Sequence, residues 1–421
     1  MEITLPAPHR RDDPAVFRTH TVSAVDVTRR LRRSVVDLAP LFGDGDVITV
    51  RLGRTAWHIG WSPEWTKYVI GSHSMWADLD ILPLGLAGHA AYYGMGGLPG
   101  APPERHRTVR TAAVRTGFTG APKPSVLESA LRAAVELARR RGSGELDLAM
   151  FARALFLVTT AATVMDLDLD SATVRRILDW FDRWTKIMSS PLIAVGGPAL
   201  PFTPANRLRR LLGPWYGYLA DLLAADAGGG GLLTALRDQV ACGDIARQEA
   251  VGYLATILFA GTEPPAHTLL WAHALITAVE PDELGPVDAG RADVLLWEAL
   301  RAQPAIGVVV RRVCAADGGY RSASPDTYVV APPLTHRRSD ARNGLPSSFR
   351  PLTEGPTRLD PDEYPGLGAG FHHCVGARLG MSVARQALLF LLAETTVRRR
   401  PDLAPHGLIT SAPRRLPVVT L

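Results

Sequence analysis

The spacing of apolar residues predicts a mainly helical protein with a short β-region near its start. The region from Asp46 to Trp61 alternates apolar and polar positions on either side of Gly53-Arg54, which predicts two strands joined by a turn. Ser62-Pro63 then predicts a helix start, with a serine N-cap and a proline in the first turn. Further helical patterns cover residues 124–141, 146–166, 171–188 and 204–226.

A long apolar pattern from Gln248 to Val279 predicts another helix, and it is interrupted at Ala260-Gly261-Thr262-Glu263-Pro264-Pro265. Each proline removes one backbone donor, and its ring crowds the carbonyl four residues earlier, at Ala260 or Gly261. We therefore expect the helix to open at this point. A purely structural kink and a chemical role are both compatible with the pattern.

Length, cysteine content and the first residues indicate the number of domains and the cellular compartment to expect. The length of 421 residues suggests two or three domains, although large enzymes often form one unit of this size. Three scattered cysteines give no disulfide framework, which favours a reducing cytosol. Residues 1–13 are polar and contain neither a signal-peptide core nor an apolar run long enough for a membrane, so we expect a soluble, cytoplasmic protein.

The net charge of +5 is spread along the chain, without a nucleic-acid-binding motif. It indicates either a solvated basic face or a docking surface for an acidic electron donor. The glycine run from Gly228 to Gly231 has no phosphate-loop context and is interpreted as a flexible linker.

The candidate chemistry lies between Leu367 and Gly376, where one cysteine, Cys374, precedes a helical pattern over 377–392. A sulfur at a helix N-terminus is favoured as thiolate. Gly368, Gly370 and Gly376 allow the backbone to approach a flat group and to aim N–H groups at the sulfur. One thiolate cannot build a zinc or iron–sulfur site, but it can be the axial ligand of a haem. A buried structural cysteine is the alternative.

The spacing G-x-G-x-H-x-C-x-G, with His372 as its histidine, resembles the haem-binding loop of the cytochrome P-450 superfamily. Leu367 replaces the usual phenylalanine, and Gly380-Met381 replace a common Ala-Arg. The resemblance implies a mainly α fold with small β-sheets, in a single domain over 1–421, with a β-rich part at about 40–75 and a helical, haem-binding body at about 100–400. It also implies haem b (iron protoporphyrin IX) bound by Cys374, between this loop and the long central helix.

The segment 102–110 resembles the family's Pro-Glu-His-x-x-x-Arg, with Arg105 inserted. The resemblance assigns the haem propionates to His106, Arg110, Arg312 and His372. Arg105 could replace His106, and surface cations are the plain alternative.

Other segments resemble the family in the same order along the chain. Residues 75–103 correspond to the loop that lines the substrate pocket, and their apolar content favours that role over disorder. The helices at 171–188 and 204–226 correspond to the lid, whose aromatic side chains are mostly expected in the core, with some facing the substrate. Glu298 and Arg301 resemble the family's Glu-x-x-Arg, with Arg350 or else Arg358 as the third member.

The interrupted helix resembles the family's Ala-Gly-x-Glu-Thr-Thr, with both threonines replaced by proline. The resemblance makes Ala260, Gly261, Glu263 and Pro264 the catalytic candidates. In relatives the first threonine guides protons to bound dioxygen, whereas Pro264 has neither a hydroxyl nor an N–H. Thr262 lies about 200° around the helix and cannot replace it. Glu263 with water, or a substrate hydroxyl, could complete the proton path.

The resemblance implies a monooxygenase that oxidises a specialised metabolite, using O2 and electrons from a ferredoxin and its reductase. The expected substrate is a small molecule or peptide, and neither nucleic acid nor membrane is expected as a partner. Oxidative aryl or peptide cross-linking without oxygen insertion is the second possibility. A haem-binding protein without catalysis is the third, and the retained Glu263 and cysteine loop argue against it.

Overall fold

The structure is a computed structural model, and it describes residues 17–31, 34–52, 55–71, 75–76, 110–111, 118, 120–140, 142–188, 204–225, 230–313, 326–352, 354–355, 358–407 and 410–421. Helices dominate these residues, which confirms the predicted class. They are α1 Ala24–Leu31, α2 Pro63–Gly71, α3 Pro124–Ala138, α4 Leu148–Thr160, α5 Ser171–Met188, α6 Pro204–Ala224, α7 Gly231–Ala241, α8 Arg247–Ala260, α9 Glu263–Ala278, α10 Pro281–Leu284, α11 Ala289–Ala302, α12 Pro332–Arg342 and α13 Ala377–Glu394.

The strands form three small sheets within the described ranges. They are β1 Thr19–Thr21, β2 Val47–Leu52, β3 Thr55–Gly60, β4 Met75–Trp76, β5 Glu145–Leu146, β6 Val309–Val313, β7 Thr327–Val330, β8 Thr396–Arg399, β9 Asp402–His406, β10 Ala412–Arg415 and β11 Val418–Thr420. The largest sheet has the order β1-β2-β3-β7-β6-β4, and the others pair β10 with β9 and place β11 between β5 and β8.

The antiparallel hairpin of β2 and β3 confirms the two predicted strands. Helix α2 begins as predicted, because the Ser62 hydroxyl accepts a hydrogen bond of 3.1 Å from the Trp65 N–H. The Trp65 ring is buried and donates to the Val329 carbonyl of β7 at 2.9 Å, which fixes α2 against the sheet.

Helix α4 lies in the centre of the helical body. The Asp147 carboxylate caps its start by accepting from the Met150 N–H at 3.1 Å. The helix widens into a π-turn over Ala161–Met165 and ends at Asp166, whose φ is 56°. Residues Leu148–Met165 are long and apolar enough to cross a membrane by length and composition alone, yet 72% of this segment is buried inside the protein. Its hydrophobicity is therefore explained by its place in the core.

Four aromatic residues of α5 and α6 lie in the core. The Trp180 ring of α5 stacks on the Trp215 ring of α6 with 4.3 Å between the ring centroids. Trp180, Phe181, Trp184 and Trp215 are all buried in the main core. Packing of α5 against α6 and against Phe259 of α8 accounts for their burial.

The expectation of a linker through Gly231 was wrong at that residue, because Gly231 begins α7. Its φ is +87°, and a Cβ there would lie 3.0 Å from the Val164 carbonyl oxygen. Glycine is needed because α7 starts against the end of the π-turn. Residues 228 and 229 of the glycine run lie outside the described residues.

Candidate active site

A cavity of about 870 Å³, part of it open to solvent, lies between the α8–α9 junction and the cysteine loop. The helix break lines one part of it, and the loop with the start of α13 lines another. Helix α4 closes one side. The lining is largely apolar and includes Phe118, Phe156, Thr159, Thr160, Ile257, Ala260, Gly261, Pro264, Pro265, Thr268, Cys374, Gly376, Gly380 and Met381.

The cysteine loop needs two of its glycines for backbone reasons. Gly368 has a φ of +75°, and a Cβ there would lie 2.5 Å from the His372 carbonyl oxygen. Gly370 has a φ of +53°. The Cys374 N–H donates to the Leu367 carbonyl at 2.7 Å, so the loop closes on itself before α13 begins. These contacts explain why the glycine spacing could be recognised in the sequence.

The surroundings of Cys374 correct one expectation, because they do not favour a free thiolate. Burial raises the pKa of the thiol above its usual value and outweighs the Gly376 N–H and the Arg110 charge, which both lower it. Cys374 has exposed surface, but this surface faces the cavity and not the outside of the protein. The residue can therefore be accessible and its sulfur still be poorly solvated. A positively charged ligand such as a metal ion would be needed to hold the sulfur as thiolate.

Arg110 lies beside the cysteine loop. Its Nη2 donates to the His373 carbonyl at 2.7 Å, and burial lowers the pKa of the guanidinium. His372 is half-buried in the short helix Gly370–His372. Arg312 lies in β6, paired with Trp76, but its side chain is outside the described residues, as is His106 entirely. The propionate assignments of these four residues therefore stay predictions.

The predicted interruption of the central helix is confirmed, and the two prolines have defined positions. Helix α8 ends at Ala260, and α9 begins at Glu263 with Pro264 and Pro265 in its first turn. The first N–H groups of a helix have no partner within it, so prolines are tolerated there. They prevent α8 from continuing, because Pro265 cannot donate to the Gly261 carbonyl. That carbonyl accepts instead from the Thr160 hydroxyl of α4 at 3.0 Å.

Glu263 forms a buried ion pair and does not line the cavity. Its Oε1 lies 2.6 Å from Arg153 Nε, and Arg153 Nη1 lies 2.7 Å from Asp182 Oδ1 of α5. Burial raises the pKa of Glu263, although Arg153 opposes that shift. The sequence did not identify Arg153, because an arginine in an apolar helix 110 positions away carries no local signal for this pairing.

Thr262 is fully buried and does not line the cavity, which agrees with its predicted place on the other side of the helix. Among the described residues its hydroxyl has no hydrogen-bond partner. A hydroxyl at this position therefore does not substitute for the one that Pro264 lacks.

A buried polar cluster lies around Glu298 and Arg301. Two hydrogen bonds of 2.8 and 2.7 Å join these side chains. The third member is Arg350, as predicted over Arg358, since its Nε lies 3.3 Å from Glu298 Oε1. Asp340 is a fourth member, with its Oδ2 2.6 Å from Arg301 Nη1. Asp340 meets Arg301 only because of the way α12 packs against α11, so its spacing in the sequence could not identify it.

The described residues fit a haem better than a bare metal ion. They contain no group of three His, Cys, Asp or Glu side chains able to hold a metal ion. A single sulfur instead faces an apolar cavity, and a Cβ at Gly376 would lie 4.0 Å from that sulfur. Gly376 thus places no side chain beside the sulfur of Cys374. A lone thiolate ligand and apolar walls suit an iron porphyrin.

Comparison with known proteins agrees with this site. No protein-family model matches the chain. It is 25% identical to the pentalenene oxygenase of Streptomyces avermitilis over 429 aligned positions, covering 92% of each protein. It is also 29% identical to the cyclooctatin synthase of Streptomyces melanosporofaciens over 230 positions, covering 47% of this chain and 49% of that protein.

Solved structures support the same fold. The myxobacterial cytochrome P450 CYP267B1 in complex with myristic acid has a TM-score of 0.69, with 18% identity over 94% of this chain and 99% of that one. The tirandamycin C-bound P450 monooxygenase TamI has a TM-score of 0.67, with 16% identity over 95% of this chain and all of that one.

The chain therefore has the cytochrome P450 fold, and it is similar to bacterial enzymes of that superfamily over nearly its whole length.

Proposed function

We propose that this protein is a haem-thiolate monooxygenase that oxidises an apolar specialised metabolite. One observation carries the proposal: Cys374 and the residues of the α8–α9 break line a single apolar cavity. The curated relatives support the metabolic context, because they are named pentalenene oxygenase and cyclooctatin synthase. The largely apolar lining supports a substrate with few polar groups.

Bound haem would supply dioxygen activation, with electron donation from the thiolate favouring cleavage of the O–O bond. The residues of the chain supply binding and orientation. Cys374 would ligate the iron, and Arg110, Arg312, His106 and His372 would donate to the propionates. Ala260, Gly261 and Pro264 line the same cavity and would hold the substrate there and exclude bulk water. Glu263 does not line the cavity and would support this part of the cavity wall through its ion pair with Arg153 of α4.

Electrons would come from a ferredoxin and its reductase, since the sequence carries no flavin or nicotinamide motif. We place the enzyme in the cytoplasm, as a single domain over 1–421. The basic surface, with its net charge of +5, would suit an acidic electron donor.

The absorption spectrum tests ligation directly. The reduced carbon monoxide complex of the parent protein should show the strongly red-shifted Soret band of a thiolate haem, and Cys374→Ala should lose it. Cys242→Ala is the matched control, because Cys242 is a free cysteine remote from the cavity lining. A Cys374→Ala protein with the parent spectrum would refute the assignment.

Oxidative cross-linking remains a second candidate, because Pro264 removes the hydroxyl that relatives use for proton delivery. Isotope labelling separates the two reactions. Turnover under ¹⁸O₂ should place one labelled oxygen in the product of a monooxygenase, whereas a coupled product without label would favour cross-linking. A protein that binds haem but consumes no reducing equivalents with any of a panel of metabolites would instead support a non-catalytic role.

A further inference from the structure

Thr160, in the last turn of α4, is the side chain that meets the broken helix. It is only 3% exposed, and it lines the cavity together with Gly261 and Pro264. Its hydroxyl donates to the Gly261 carbonyl at 3.0 Å. This bond replaces one that a continuous helix would form, because the expected donor to that carbonyl is the N–H that Pro265 lacks.

The contact between Thr160 and Gly261 depends on both residues. A Cβ at position 261 would lie 2.7 Å from Thr160 Cγ2 and 2.9 Å from Thr160 Oγ1. These distances are shorter than real Cβ contacts, so any larger residue at 261 would displace the threonine. The glycine therefore allows a hydroxyl from another helix to reach the break.

The Thr160 hydroxyl uses its hydrogen in this bond, so its oxygen can still accept a hydrogen bond from a neighbouring group or water. Two other buried hydroxyls near the break, those of Thr159 and Thr262, have no hydrogen-bond partner among the described residues. Thr159 also lines the cavity. Buried hydroxyls of this kind are usually satisfied by ordered water, which is plausible where several polar atoms converge.

We propose that Thr160 is a positioning residue for proton delivery, and that its hydroxyl holds water at the helix break in place of the hydroxyl that Pro264 lacks. The proposal rests on the proposed monooxygenase function. Protons originate in bulk water and reach the cavity through the held water, and the threonine neither gains nor loses a proton overall. The hydroxyl that relatives carry on the central helix is supplied here from α4.

The test compares Thr160→Val, which keeps the shape and removes the hydroxyl, with Thr160→Ser, which keeps the hydroxyl. The measurement is product formed per reducing equivalent consumed in the haem-loaded enzyme, with hydrogen peroxide release and the solvent deuterium isotope effect. We expect Thr160→Val to lower this ratio roughly tenfold and to release the difference as peroxide; this is less than the roughly 10²–10⁴-fold of a group that itself transfers the proton, because Thr160 only positions water. Thr160→Ser should behave like the parent.

Thr277→Val is the matched control, because the Thr277 hydroxyl also donates to a backbone carbonyl, that of His273 at 2.8 Å, but does not line the cavity. It should couple like the parent. If Thr160→Val also couples like the parent, with an unchanged isotope effect, the proposal is overturned and the threonine only ties two helices together.

Hydrogen exchange gives a readout that does not depend on turnover. The Thr262 N–H donates to the Phe259 carbonyl at 3.1 Å and the Ala266 N–H to the Thr262 carbonyl at 3.1 Å, so their exchange reports on the break. Thr160→Val and Gly261→Ala should both accelerate it in the resting haem-loaded protein, and Gly261→Ala should also lower the coupling ratio.

Should Thr160→Val fail to fold, Gly261→Ala decides the question, and parent-like coupling in that variant refutes the proposal. Absence of oxygenation in the parent would instead refute the proposed function.

Discussion

Arg153 Nε lies 2.6 Å from Glu263 Oε1, and both side chains are at least nine-tenths buried. This pair connects α4 to the first turn of α9 behind the cavity wall. Asp182 of α5 reaches the same arginine, but 65% of its side chain is exposed. The carboxylate that the sequence offered as a proton relay is therefore held by a cation that the sequence did not reveal.

Arg153→Met should be strongly destabilising, because it leaves Glu263 buried without its cation. Breaking a buried pair in this way typically costs about 3–5 kcal/mol. The double variant Arg153→Met/Glu263→Gln should recover part of the loss, and Asp182→Asn should cost much less because Asp182 is exposed. Chemical denaturation of the parent, these three variants and the single variant Glu263→Gln measures these changes, and a double variant whose loss equals the sum of the two single losses would show that the two residues are not coupled.

Gly368→Ala should disrupt the cysteine loop even before haem binds. The φ of +75° and the 2.5 Å approach to the His372 carbonyl oxygen make a Cβ unfavourable, and the strained backbone alone costs about 1–3 kcal/mol. Thermal unfolding of the haem-free protein checks this. Gly376→Ala is the comparison, since its Cβ would make ordinary contacts of 3.4 Å with Phe118. It should keep the stability of the haem-free protein but weaken haem retention.

Arg110→Met should lower haem retention by removing a donor near the loop. Its hydrogen bond to the His373 carbonyl would also be lost, so the loop itself should loosen. Arg110→Lys keeps the charge but not the planar donor set, so its haem retention should lie between that of the parent and that of Arg110→Met. Haem transfer to an acceptor protein measures retention, and parent-like rates in both variants would assign the propionates to other residues.

Pro264→Thr should restore a hydroxyl and a backbone donor at the position where relatives carry threonine. We expect less peroxide release with poor substrates, because a hydroxyl on the central helix itself would add to the one that Thr160 supplies from α4. The measurement is the ratio of product to reducing equivalents, with and without the native substrate. Tight coupling in the parent with many unrelated substrates would show that substrate assistance is not needed.

Acid should destabilise the protein partly through His273 in α9. Burial lowers the pKa of this histidine from 6.5 to about 4, so the folded state keeps it neutral. Its contribution is fully present above pH 6.5 and is lost as the pH falls towards 4, since the unfolded chain binds the proton first. The shift corresponds to about 3 kcal/mol. Denaturation curves of His273→Leu between pH 4 and 7 should have a shallower pH slope, and an identical slope would exclude this histidine.

Local patterns in the sequence predicted the parts of the site that depend on local backbone geometry. The glycines around Cys374 act through their own φ angles, and the prolines after Gly261 act through their missing N–H groups. The effect of each can therefore be predicted from the residue type alone. Arg153, Thr160 and Asp340 were not predicted. Each acts through a contact with a helix far along the chain, and such contacts depend on how helices pack. The prediction that some lid aromatics face the substrate finds no support among the residues lining the cavity.

Arg153 and Thr160 are seven residues apart on α4, which is close to two helical turns, so they lie on the same side of that helix. One binds the carboxylate at position 263 and the other the carbonyl at position 261. The cavity wall formed by the α8–α9 junction is thus attached to α4 at two points. Helix α5 reaches the same arginine only through the exposed Asp182, so loss of that contact would leave both attachments of α4 to the cavity wall in place. The position of this wall is therefore set by α4 and not by α5.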